Sequence, residues 1–146
     1  MEKKLIVLAD WKGESEFQQF KTDVEACIQN GNTFFYLFCI DNHKLIEGLP
    51  HIPNVSYLSK KEFSMFGKLK TPMLRALLIN ENSGVLIVAA EKPSKLLLKT
   101  LKNSKLMSIG MEKETLPKFD ISFKNSELKD GKFFKQINNY LTKIQL

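Results

Sequence analysis

The 146-residue sequence is short of the residues from which catalytic and metal sites are most often built. It has two cysteines, two histidines, one tryptophan and a single arginine, Arg75, beside 21 lysines. Two cysteines do not make the disulfide framework of a small secreted domain, and no second cysteine stands at zinc spacing from either. Cys27 and Cys39 each lie among apolar residues and are expected as buried thiols. His43 and His51 fall eight residues apart in a proline-containing stretch without an acid or cysteine cluster, which points to surface positions rather than to zinc or an oriented general base. No metal and no cofactor is expected.

Other absences exclude whole classes of chemistry. Neither G-x-G-x-x-G nor G-x-x-x-x-G-K-[ST] occurs, so no nucleotide-phosphate cradle is encoded, and the turn after the first apolar run has Gly13 alone. The nucleophile elbow G-x-S-x-G is missing too, since Gly13-Glu14-Ser15 is followed by Glu16-Phe17. No stretch approaches the roughly 20 apolar residues of a membrane span. After Met1-Glu2-Lys3-Lys4 only Leu5 to Ala9 are apolar before Asp10, which is short for a secretory signal. No membrane partner is expected, and the cytoplasm is the expected location.

What is present is the balance of a globular chain. Hydrophobic residues make up 43% and charged residues 26%, enough to pack a core without a staple. The formal net charge of +6 is unevenly spread. Residues 1–59 carry −3, residues 60–105 carry +7 and residues 106–146 carry +2. A basic middle attracts acidic partners through long-range forces, and otherwise serves solubility.

Periodicity divides the chain into alternating strands and helices. Leu5 to Ala9 is a continuous apolar run fit for a strand buried on both faces. Phe17, Phe20, Val24, Cys27 and Ile28 repeat at spacings of three and four, predicting a helix over 14–29 that ends at the Asn30-Gly31-Asn32 turn. Thr33 to Ile40 is an aromatic-rich strand, and Val55 to Leu58 a weaker one after a loop in which Pro50 and Pro53 argue against a helix. Residues 60–72 have no clean period and are expected as a loop. Thr71 and Pro72 open a helix to about Ile79, and Asn82-Ser83-Gly84 leads into the apolar strand 85–90. Pro93-Ser94 then starts a helix with Leu97, Leu98 and Leu101 inward, followed by a short strand, Lys105 to Ile109, ended by Gly110. Phe119 to Phe123 alternates as a half-buried strand, and Phe133, Phe134, Ile137, Tyr140, Leu141 and Ile144 line one face of a final helix. The order β-α-β-β-α-β-α-β-β-α predicts one α/β domain over 1–146. Its architecture is a three-layer αβα Rossmann-like sandwich with a mainly parallel sheet of five to six strands.

If the first strand and the strand at 85–90 are central neighbours, a crevice opens beyond their carboxyl ends. Asp10, Trp11, Lys12, Asp41 and Glu91 would line it, with Asp10, Asp41 and Glu91 as polar anchors for a small molecule. Against this, Asp10 or a neighbour serves as the cap of the helix that starts near Glu14. The second candidate is the segment that sets Lys60, Lys61, Lys68, Lys70 and Arg75 among Phe63, Met65 and Phe66. Basic residues interleaved with aromatics grip single-stranded nucleic acid or an acidic protein. Alternatively Phe63 and Phe66 plug a long loop onto the sheet while the lysines face water. Lysine in place of arginine speaks against specific base and phosphate recognition.

Across most of its length the chain resembles a Bacteroidetes-type family of small α/β proteins known as a domain of unknown function. The resemblance is carried by the opening strand ending in Ala9-Asp10, by Lys60-Lys61-Glu62-Phe63-Ser64-Met65-Phe66-Gly67-Lys68, and by Lys105 to Gly110. Phe119-Asp120-Ile121 and the helix end Asn139-Tyr140-Leu141-Thr142-Lys143-Ile144 complete it. It implies a bacterial cytosolic α/β domain and brings no activity. The function expected first is a non-catalytic interaction module whose basic surface meets a protein or RNA partner. The crevice as a small-molecule or enzyme site stands second, and an oligomer or scaffold subunit third.

Overall fold

The two most apolar strands lie side by side. In the computed structural model, which describes residues 4–28, 33–80 and 84–144, β1 (Lys4–Asp10) pairs in parallel with β4 (Val85–Val88), Leu5 opposite Val85 and Leu8 opposite Val88. Every residue from Leu5 to Ala9 and from Val85 to Ala90 is buried, so neither strand has a solvent face and neither alternates. β2 (Thr33–Cys39) and β3 (Val55–Leu58) continue the sheet on one side, β5 (Met107–Met111) and β6 (Ile121–Phe123) on the other. The order is β3-β2-β1-β4-β5-β6 and every pairing is parallel. This is the predicted three-layer Rossmann-like sandwich, with six strands.

The pleat sorts the core into two layers. Leu5, Val7, Tyr36, Phe38, Val85 and Ile87 point to one face and pack under α1 (Glu14–Cys27) and α4 (Lys132–Ile144) with Phe17, Val24, Phe133, Phe134 and Ile137. Ile6, Leu8, Leu37, Cys39, Leu86 and Val88 point to the other, under α2 (Pro72–Ile79) and α3 (Lys95–Lys102). Each fully buried Leu, Ile or Phe contributes about 1.5–3 kcal/mol relative to exposure. The second layer also takes in Phe63, Leu69 and Phe119 from connecting segments.

Several local expectations are corrected. Residues His43–Gly48 form a 3₁₀ turn that ends ahead of Pro50, with the Asn42 side chain accepting the Lys44 N–H at 3.1 Å; a proline stops a helix from running through it and does not bar a turn that has already closed. The inward stripe of α3 is Leu96, Leu97 and Thr100, while Leu98 is half-buried. The register follows from the Ser94 cap, whose Oγ accepts the Leu97 N–H at 3.1 Å, and from a threonine whose hydroxyl satisfies itself on the Leu96 carbonyl at 2.9 Å. Cys39 is buried but Cys27 is partly exposed. The Asn30-Gly31-Asn32 turn, Asn82-Ser83 and the Ile144 side chain lie outside the residues described.

Gly110 does not end β5 but sits inside it, paired with Ser122. A β-carbon there would lie 2.2 Å from the buried Phe119 ring, so the missing side chain is the space the ring occupies. Gly110→Ala is expected to lower stability by about 1–3 kcal/mol, the overpacking range, in urea denaturation. The pair Gly110→Ala/Phe119→Leu should be more stable than the two single losses added together, and simple additivity would show that the ring is not what the methyl meets.

Candidate functional site

Because β1 and β4 are neighbours, the chain leaves β1 toward α1 on one face and β4 toward α3 on the other. A crevice of about 810 Å³ opens at that divergence. Its base is Ala9, Ala89 and Ala90 at the strand ends, whose small side chains leave the space unfilled, and its apolar walls come from Trp11, Phe17, Phe20, Phe38 and Phe134. Trp11 stands edge-on to Phe38 and Tyr57 at centroid distances of 5.1 and 5.2 Å, and its backbone N–H donates to the Cys39 carbonyl at 3.0 Å. One flank is the acidic side of α1, with Glu16, Gln19 and Asp23; the other carries Glu91, Lys92 and Lys113.

The acids expected as anchors have separate positions. Asp10 accepts the Ser94 N–H at 2.9 Å and the Ser94 hydroxyl on its other oxygen. It therefore ties β1 to the start of α3. The first turn of α1 has no side-chain cap, its N-cap being Gly13 at φ +108. Glu91 pairs with Lys113 at 3.4 Å and its carbonyl accepts the Thr115 hydroxyl at 3.2 Å. Trp11 and Lys12 line the crevice, whereas Asp41 is exposed beyond β2 and does not. Among the described residues no three His, Cys, Asp or Glu groups come together to hold a metal, and His51 is exposed while His43 is half-buried.

The 60–75 segment is built rather than loose. Ser59 and Glu62 form a capping box around a 3₁₀ turn, Lys60–Glu62, with the Ser59 N–H and hydroxyl donating to Glu62 Oε2 at 2.8 and 2.9 Å. Phe63 and Leu69 are bridged and buried, and between them the chain reverses: the Ser64 N–H donates to the Lys68 carbonyl at 2.7 Å and the Gly67 N–H to the Ser64 carbonyl at 2.9 Å. Ser64 Oγ accepts the N–H groups of Phe66 and Lys68. From α3's end, Asn103 accepts the Leu69 N–H at 3.0 Å and donates to the Gly67 carbonyl at 3.1 Å.

At the apex Met65 is 92% and Phe66 85% exposed. Lys60, Lys61, Lys68, Lys70 and Arg75 are all exposed around it. Phe63 is thus a plug, covered by Lys99 at 5.3 Å from its ring centre, and Phe66 is not. The signal that separates them is position: Phe63 is the bridge partner of Leu69, while Phe66 occupies the turn.

A family model for a family of unknown function, DUF6913, matches residues 2–144. Neither the curated proteins nor the solved structures offer a match.

One group in the sheet could be mistaken for a nucleophile. Cys39 lies 3.8 Å from Thr100 Oγ1, and burial pushes its thiol up from the ordinary 9.0 to about 12, against the lowering effect of the Thr100 hydrogen bond. At pH 8 Cys27 should react with a thiol reagent in the native protein and Cys39 only after unfolding. Between pH 9 and 12 the unfolded thiol ionises while the folded one stays protonated, so Cys39 should make stability fall as pH rises. Replacing Cys39 by Ala should make that stretch of the urea stability profile shallower, the remaining slope coming from Tyr36 and Tyr57, whose hydroxyls burial also pushes up; an unchanged slope would refute the assignment.

Proposed function

From the chain's membership of the DUF6913 family, to which it belongs over residues 2–144, no activity follows, and we propose that it is a non-catalytic interaction module. The observation that carries this reading is the apex of the 60–75 segment. Of the four large apolar side chains most exposed among the described residues, Met65, Phe66 and Met73 belong to this stretch. Six hydrogen bonds and two buried anchors hold Met65 and Phe66 out in water. Burying a Phe or Met side chain is worth about 1.5–3 kcal/mol, so a partner that encloses both gains several kcal/mol at little ordering cost.

The partner is a protein with an acidic surface. From Phe63 to Ile79 there is no acid, and Glu62, just ahead, is turned into its cap. The single exposed aromatic of the apex gives only one stacking face, and Arg75 is the only guanidinium fork, so RNA is the weaker fit. The small-molecule reading of the crevice stands second: its aromatic walls favour it, but Asp10 and Glu91 face different partners and Asp41 lies elsewhere. The setting inferred is the cytoplasm of a bacterium of Bacteroidetes type, with residues 1–146 acting as one domain.

Affinity capture from the native cell tests this. Retention of a protein partner should fall as salt rises and survive ribonuclease, and Phe66→Asp should weaken it at least tenfold, a loss of more than about 1.4 kcal/mol. Charge reversal of Lys60, Lys61, Lys68 and Lys70 to Glu should weaken capture at low salt and turn the fall with rising salt into a rise. Capture indifferent to all five substitutions, or lost to ribonuclease, would overturn the proposal.

A further inference from the structure

We infer that the partner of the apex is a second copy of this chain, which receives Met65 and Phe66 in its β1/β4 crevice beside the acidic flank of α1; this rests on the interaction role proposed above. Three observations lead to it. The first is charge: the chain is bipolar, with −3 in residues 1–59 and +7 in residues 60–105. The flank that α1 gives the crevice presents Glu16 and Asp23, with Glu14 in the same first turn as Glu16, and the rest of the rim carries Lys12, Lys92 and a Lys113 already paired with Glu91; the apex presents Lys and Arg without an acid, so the match is between the apex and the α1 flank.

The second is shape and chemistry. The apex is a two-residue apolar knob, and the crevice is a concavity of about 810 Å³ walled by Trp11, Phe17, Phe20, Phe38 and Phe134. A volume in the range that encloses a drug-sized ligand has room for a Phe and a Met side chain. Aromatic walls suit both occupants, through edge contacts for Phe66 and sulfur–ring contacts for Met65.

The third is placement. The anchors of the apex, Phe63 and Leu69, belong to the layer under α2 and α3, whereas the crevice walls Phe17, Phe38 and Phe134 belong to the layer under α1 and α4. The knob is anchored on one face of the sheet and the aromatic walls of the crevice stand on the other, so a molecule does not fill its own crevice. The contact is head to tail, each copy giving its apex to one neighbour and its crevice to another. Each copy carries +6 overall, and that mutual repulsion acts at long range, where physiological salt screens it beyond about 8 Å. The lysine–carboxylate contacts at the seam are closer than that and persist.

Because the two halves of the seam are different surfaces, complementation decides the matter. Phe66→Asp removes the knob and leaves the crevice; Glu16→Lys with Asp23→Lys reverses the acidic flank and leaves the knob. These side chains lie at the surface or the crevice rim, and circular dichroism confirms that each variant is folded. In sedimentation velocity the wild type should grow beyond a dimer as concentration rises, each variant alone should stay monomeric, and an equal mixture of the two should give a dimer and nothing larger. A wild type that is monomeric throughout its soluble range overturns the inference, as does self-association that survives Phe66→Asp or a mixture that does not complement. If the wild type is monomeric yet captures a cellular protein through Phe66, the interaction role stands and only the identity of the partner falls.

Discussion

The pairing of β1 with β4 is the constraint from which the rest of the molecule follows. Each strand is buried on both faces, so every backbone N–H and C=O between Leu5 and Leu8 must find its partner in the ladder, and both faces must be covered by helices. Covering both faces sends the chain from β1 to one side and from β4 to the other, and the crevice is what remains at the point of divergence. Asp10 and Ser94 then close the base of that divergence by joining the end of β1 to the start of α3 across it. The opening is therefore a product of topology, and its aromatic walls are core residues of the α1/α4 layer that happen to lie at the sheet's edge.

This constraint was also what made the fold readable. Runs such as Leu5 to Ala9 and Val85 to Ala90 leave no polar face, which only a central parallel strand tolerates, and the Pro72 and Ser94 helix starts are local chemistry. What could not be read depended on partners distant in sequence. Gly110 has the local look of a terminator and becomes an interior strand residue because Phe119 needs its space. The Leu96, Leu97 and Thr100 stripe of α3 needs the sheet beneath it as well as the local Ser94 cap, since a helix with apolar residues at 96, 97, 98 and 101 offers more than one face.

The same division holds for the functional residues. Asp10 is visible in the sequence as a polar residue at a strand end, but its partner is 84 positions away, and nearness to Glu14 in sequence points to the wrong helix. Phe63 and Phe66 are the same residue type three apart, and composition cannot tell a plug from a knob. The decision is made by Asn103 and Leu69, which fix the turn so that one ring enters the core and the other leaves it. A segment without hydrophobic period can still be rigid when side chains from elsewhere supply its hydrogen bonds.

The preference for lysine over arginine has a physical meaning at such a surface. Lysine is strongly hydrated and is depleted in the desolvated centres of interfaces, so the cations around Met65 and Phe66 are rim groups by their chemistry. Rim charges accelerate and orient encounter more than they hold a complex together, whereas an apolar side chain enclosed at the centre sets how slowly it dissociates. Division of labour follows: lysines select an acidic surface and Phe66 determines lifetime. It also explains why the turn is so fully hydrogen-bonded, because a knob that had to be ordered on contact would lose part of the little binding energy two side chains can supply.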